Sequence, residues 1–114
     1  MTESELRAFT AVKMPERQLS ENVRQLCKVL GLLAYHPHRS DHSAAGWPDW
    51  AICVGDTLFL RELKSATGKL SPDQLRWLTA LGQVRTVSAG VWKPQNWLDG
   101  TIERELRRKN GMEP

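Results

Sequence analysis

Residues 46–64 read GWPDWAICVGDTLFLRELK, and the fold turns on how this stretch pairs with itself. Two apolar runs flank Gly55-Asp56, a dipeptide suited to a two-residue hairpin turn because glycine accepts positive φ. With that turn Val54 faces Thr57, and stepping outward brings Cys53 to Leu58, Ala51 to Leu60 and Asp49 to Glu62. Side chains alternate along a strand, so Asp49 and Glu62 share one face, and Lys64 shares it too. Opposed Cβ atoms lie about 4.5–5.5 Å apart, and like charges at that distance destabilise a sheet. The pair therefore asks for a counter-charge. A divalent cation held by both carboxylates supplies one, and hard oxygen donors with open positions suit Mg²⁺ or Mn²⁺ rather than zinc. The competing reading is that both strand ends reach water, where opposed acids are solvated. A one-residue bulge would also separate them.

Upstream, PERQLSENVRQLCKVLGLL begins at Pro15, a residue suited to the first helical position. Leu19, Val23, Leu26, Leu30 and Leu33 recur at spacings of four and three, the stripe of an amphipathic helix that Gly31 frays. LAYH reads as a short edge strand stopped by Pro37. Downstream, SPDQLRWLTALG has Ser71 as N-cap, Pro72 at the first position and Gly82 past the end. VRTVSAGVW is rich in β-branched residues and predicts a strand. PQNWLDGTIERELRRK predicts a C-terminal helix broken at Gly100. The order is helix, strand-strand, helix, strand, helix, an α/β fold with a mixed central sheet flanked by helices.

The 114 residues suffice for one domain. We expect a polar leader over 1–13, with a capping box from Thr2 to Glu5, and a single domain over 14–110. A hydrophobic fraction of 40% and a charged fraction of 25% are ordinary for a globular protein. No apolar run approaches the roughly 18 residues of a membrane helix, and the N-terminus has no apolar signal core, which makes the cytoplasm the expected location. Cys27 and Cys53 read as small buried thiols rather than a disulfide framework. The net charge of +3 permits an anionic partner without demanding one.

GWPD, RELK and GKLSPDQLRWL in this order resemble the PD-(D/E)xK nuclease superfamily, and more narrowly the stand-alone VRR-NUC domains of phages and bacteria. The likeness runs from Pro15 to Trp97. Asp followed by Glu-x-Lys is common by chance; the combined order, with an upstream glutamate, is more specific. The resemblance implies a restriction-endonuclease-like core and a divalent-metal nuclease. Asp49 and Glu62 would be metal ligands with the backbone carbonyl of Leu63 as a third, and Lys64 would position or deprotonate the attacking water. Gln74 matches a family glutamine that assists at the site, and an acid from the first helix completes the set. At 100° per residue, Glu16 lies about 60° from the centre of the apolar stripe and Glu21 about 160° away. That favours Glu16 over Glu21, although an acid near a helix N-terminus also has a purely electrostatic reason to be there. Gln74 likewise completes a capping box with Ser71 while lying within about 40° of the Leu75–Leu78–Leu81 stripe.

The remaining polar features carry less. His36, His38 and His42 include a His-x-His spacing, but no cysteine or acid cluster accompanies them. Their loop could instead offer Arg39 and His42 to phosphate oxygens, or be ordinary solvent-facing polarity. Trp50 alternates away from Asp49 and is expected to pack under a helix. Trp47 could stack on a base, although core packing is the commoner use of tryptophan. Arg104, Arg107, Arg108 and Lys109 could follow a phosphate backbone, but the interleaved Glu103 and Glu105 make a solvated face. The resemblance to the stand-alone family members implies a metal-dependent DNA endonuclease selective for four-way junctions or other branched DNA, acting as a homodimer that presents two sites for paired cuts. A restriction-type or single-strand nuclease is a variant of it. The alternative is a non-catalytic nucleic-acid-binding or assembly module on the same fold, against which the intact Asp49, Glu62 and Lys64 argue.

Overall fold

The computed structural model describes residues 1–37 and 44–108. His38, Arg39, His42 and Lys109 lie outside the described residues. The hairpin register is the one the turn predicts. Strand β2 (Trp50–Val54) pairs antiparallel with β3 (Thr57–Leu63), with Val54 opposite Thr57 and Trp50 opposite Arg61. Gly55 takes φ +62° in the turn. A two-residue edge strand, β1 (Ala34–Tyr35), adds to β2 antiparallel, and β4 (Val87–Trp92) adds to β3 parallel. The sheet is thus mixed, ordered β1-β2-β3-β4.

Helix α2 (Glu16–Leu30) covers one face of the sheet. Its Leu19, Val23 and Cys27 recur every four residues and are buried against Trp50, Ile52, Val54, Phe59 and Leu63. Ile102 and Leu106 of α5 (Thr101–Leu106) close the same core. Helix α3 (Pro72–Leu81) packs against β4 from its other face. Strand β3 runs between these layers, and Phe59 to Leu63 are all buried, acids and bases included. A strand covered on both faces loses the inside-outside alternation of a half-buried one. Helix α1 (Glu3–Lys13) carries the Thr2–Glu5 capping box, buries Ala11 and packs on α4 (Pro94–Leu98). Gly100, at φ +84°, separates α4 from α5 as the sequence indicates.

Three local expectations need correction. Leu33 is not part of the core stripe but is 79% exposed. The helix ends at Leu30 because Gly31 turns left-handed at φ +70°, which takes Leu33 out of helical phase. Pro15 sits just before the first turn, as its N-cap, rather than inside it. Cys53 is exposed while Cys27 is buried. Cys53 faces Leu58, itself 36% exposed, at the turn end of the hairpin on the face away from α2. Among the described residues no helix is long and apolar enough to cross a membrane.

Candidate active site at the open end of the hairpin

The β2–β3 ladder stops at Trp50 opposite Arg61, and the residue types explain where. Val54 and Thr57 flank a two-residue turn, so hydrogen-bonded and non-hydrogen-bonded pairs alternate outward from them. Asp49 opposite Glu62 is then a non-hydrogen-bonded pair, the kind in which side chains approach most closely. The next step would pair Pro48 with Leu63, but proline has no N–H to give. The Leu63 carbonyl therefore lacks its ladder donor. The Leu63 N–H does find an acceptor, because it donates to Asp49 Oδ2 at 2.8 Å. The Pro-Asp dipeptide thus ends the ladder and replaces a backbone acceptor with a carboxylate.

Glu62 is 4% exposed. Burial, the Asp49 charge and a hydrogen bond with Asp49 push its pKa from the ordinary 4.5 up to about 8, in that order of weight. Lys64 opposes the rise and Glu16 adds to it. Close approach of the two acids thus favours the neutral form of Glu62, or a cation beside it. Lys64 keeps the strand geometry, its N–H donating to the Trp92 carbonyl at 3.1 Å, so its side chain returns to the Glu62 face. These groups gather where the parallel pair β3 and β4 end side by side, Leu63 opposite Trp92. In open α/β sheets that C-terminal edge is the usual place for a ligand.

Helices α2 and α3 reach this edge from opposite faces. The charge of Glu16, on the first turn of α2, acts on Glu62, and its side chain lines a cleft with Asp49 and Leu63. Glu21 also lines that cleft, but it is tied to Arg24 through both oxygens and to Gln25, and these bonds hold its carboxyl down near 2. From α3, Gln74 makes two contacts at once. Its Oε1 accepts from the Ser71 N–H at 2.9 Å, completing the capping box, and its Nε2 donates to Glu62 Oε2 at 2.9 Å. One amide thus has the acceptor to cap a helix and the donor to bind an acid.

Other residues hold these parts in place. Gly46, at φ +87°, lies so close to the first turn of α3 that a Cβ would stand 2.5 Å from the Asp73 carbonyl carbon. The loop carrying Asp49 and the helix carrying Gln74 therefore touch backbone to backbone at glycine. Trp47 packs edge-on against Trp77, which donates to the Ala45 carbonyl, on the α3 side. Trp50 is buried as expected and donates to Ser20 of α2 at 3.1 Å. His36 stacks on Trp50 with ring centroids 4.8 Å apart, and its Nδ1 lies 2.7 Å from the Asp49 carbonyl. The positioning contacts of His36, Ser20 and Gly46 are not visible in sequence periodicity; the glycine two residues before Pro48 is the sole local signal.

The donor set suits a hard cation. Among the described residues no three His, Cys, Asp or Glu side chains come together as a ready metal cage. Two opposed carboxylates and a carbonyl without a ladder donor match Mg²⁺ or Mn²⁺, which bind through one or two carboxylates and keep several waters or substrate oxygens.

Elsewhere the charges serve packing. Arg61 is 5% exposed on the α2 face, stacks on Phe59 and Trp92, and pairs with Glu105 at 3.1 Å. Trp92 Nε1 donates to the same Glu105 oxygen at 2.9 Å. Glu105 thus turns inward, whereas Glu103 pairs with Arg107 on the solvated side.

A solved structure described as a VRR_NUC domain superposes on this chain with a TM-score of 0.62 and 21% sequence identity, covering 77% of this chain and 94% of that one. The chain has the VRR_NUC fold, a mixed four-stranded sheet flanked by helices. No protein-family profile matches the chain, and no curated protein sequence does.

Proposed function

We propose that the protein is a divalent-metal-dependent DNA endonuclease that hydrolyses phosphodiester bonds, with branched DNA such as four-way junctions as its preferred substrate. The observation that carries this is the half-buried Asp49 beside the buried Glu62, at the point where Pro48 ends the β2–β3 ladder and leaves the Leu63 carbonyl without its ladder donor. Likeness of fold to a VRR_NUC domain supports the same reading. Asp49, Glu62 and the Leu63 carbonyl would hold Mg²⁺ or Mn²⁺. Such an ion lowers the pKa of bound water and neutralises charge on the phosphate.

The chain's own groups supply the rest. Asp49 is oriented by the Leu63 N–H and Glu62 by Gln74, so neither carboxylate must reorganise on binding. Lys64 places a cation on the face where the attacked phosphate would lie, to orient the water or stabilise negative charge on the phosphoryl oxygens. Glu16 lines the same cleft and would act on the metal or its water from the α2 side. A homodimer would present two such sites for paired cuts in a symmetric junction.

Labelled four-way junction, flap and plain duplex, each incubated with Mg²⁺, Mn²⁺ or EDTA, test this. Cleavage is expected with either ion, strongest on branched substrates, absent in EDTA and absent for Lys64→Ala. No metal-dependent cleavage of any substrate overturns the enzyme reading and leaves the binding-module alternative. Equal cutting of plain duplex overturns only the preference for branches.

A further inference from the structure

The acid pair opens onto a groove that runs well past the catalytic end of the hairpin. A cleft of about 600 Å³, with Glu16, Arg17, Ser20, His36 and Asp49 among its walls, meets a second of about 500 Å³ that ends at Lys28 and Tyr35. Arg24, His36 and Trp50 line both, so the two form one channel between the flank of α2 and the edge strand β1. Arg17, Arg24 and Lys28 fall within about 40° of one another around α2, and the rise from Arg17 to Lys28 is about 16 Å.

The charges along this path are uneven in a useful way. Arg24 is offset by Glu21 through a two-point contact. Arg17 and Lys28 are exposed and make no ion pair among the described residues. Tyr35, on the edge strand, is 63% exposed. The His36 nitrogen facing the Asp49 carbonyl must carry the proton, since a carbonyl only accepts, and stacking on Trp50 fixes the ring plane between the two clefts.

We propose that this groove carries an unpaired nucleic-acid strand leading away from the scissile phosphate, with Arg17 and Lys28 on backbone phosphates and Tyr35 stacked on a base. The inference rests on the nuclease reading of the acid pair and adds the substrate feature behind a preference for branches. Cations spaced along a groove follow a phosphate backbone, and an exposed aromatic at its end stacks on any base whose partner is missing. A fully paired strand offers the tyrosine no free face.

The test measures binding by fluorescence anisotropy across a salt series, using the full chain with Lys64→Ala so that substrate survives. The probes are a labelled duplex with a single-stranded tail and the same duplex with blunt ends. The tailed probe should bind several-fold tighter. Arg17→Ala and Lys28→Ala should each remove most of that gain and flatten the plot of log K against log salt by about 0.7, the single-strand slope for one phosphate. Tyr35→Ala should also remove most of the gain from the tail and leave the slope unchanged. Arg76→Ala, on the exposed side of α3, is the control and should match the parent. If the tail confers no gain, or the groove variants behave like Arg76→Ala, the groove is not the strand path, while metal-dependent cleavage by the wild type keeps the nuclease reading intact. A wild type that neither binds nor cuts any probe removes both.

Discussion

A glutamine at position 62 should remove the pH dependence of stability that the acid pair imposes. Glu62 is a carboxylic acid whose folded pKa is raised, to about 8 from 4.5. Its contribution is therefore full below 4.5 and lost as pH rises through 8, because the folded chain must then hold an ionised carboxylate beside Asp49. Linkage gives the size: at about 1.36 kcal/mol for each pH unit over which only the folded chain keeps the proton, the loss between pH 6 and pH 9 is at most about 2.7 kcal/mol. The pair borders an open cleft, so a measured loss of about 1–2 kcal/mol is the realistic outcome. Glu62→Gln keeps the shape, removes the charge, and should show no such loss. Urea unfolding in EDTA at pH 6 and pH 9, followed by fluorescence of the five tryptophans, compares the two proteins with all other titrations in common. Adding Mg²⁺ at pH 9 should restore the wild type and not the variant, by about 1.4 kcal/mol at ten times the dissociation constant. If the two proteins lose stability in parallel between pH 6 and pH 9, Glu62 is not an acid whose pKa the fold raises, and the electrostatic account of the pair is wrong.

Gly46→Ala should lower stability by about 2 kcal/mol or more, because its methyl group meets the α3 backbone at 2.5 Å and the residue sits at φ +87°. It should also reduce cleavage beyond what denaturation explains, since Gln74 moves with that turn; urea titration alongside single-turnover assays separates the two. Gln74→Ala should cost about 1 kcal/mol by loss of the cap contact and weaken Mg²⁺ dependence of cleavage, read as a higher half-saturating metal concentration. Glu105→Ala should cost about 3 kcal/mol by leaving the Arg61 charge buried and unpaired, and adding Arg61→Met should recover much of it. A double variant no more stable than the single would show that the ion pair is not the source of the loss.

How much of this was legible before folding varies by residue. The hairpin register followed from Gly55-Asp56 and the lengths of its two apolar runs, and it holds out to Trp50 opposite Arg61, the step before Asp49 and Glu62. Helix α3 was equally plain, since Ser71, Pro72 and Gln74 are local signals at fixed offsets. Leu33 misled because periodicity does not show where Gly31 changes hand. Cys53 misled because alternation assigns a face but not whether another element covers it. Arg61 and Glu105 are 44 residues apart, and nothing local marks either as the other's partner.

The sequence by itself determined the acid pair, its register and the residue types around it, because turn chemistry and strand alternation act over a few residues. Only the tertiary structure decided that Glu62 is buried, that Gln74 bonds to it from α3 while the charge of Glu16 acts on it from α2, and that α2 and β1 leave a groove beside it. Those depend on which layer covers which face, and desolvation and field at a carboxylate are set by neighbours distant in the chain.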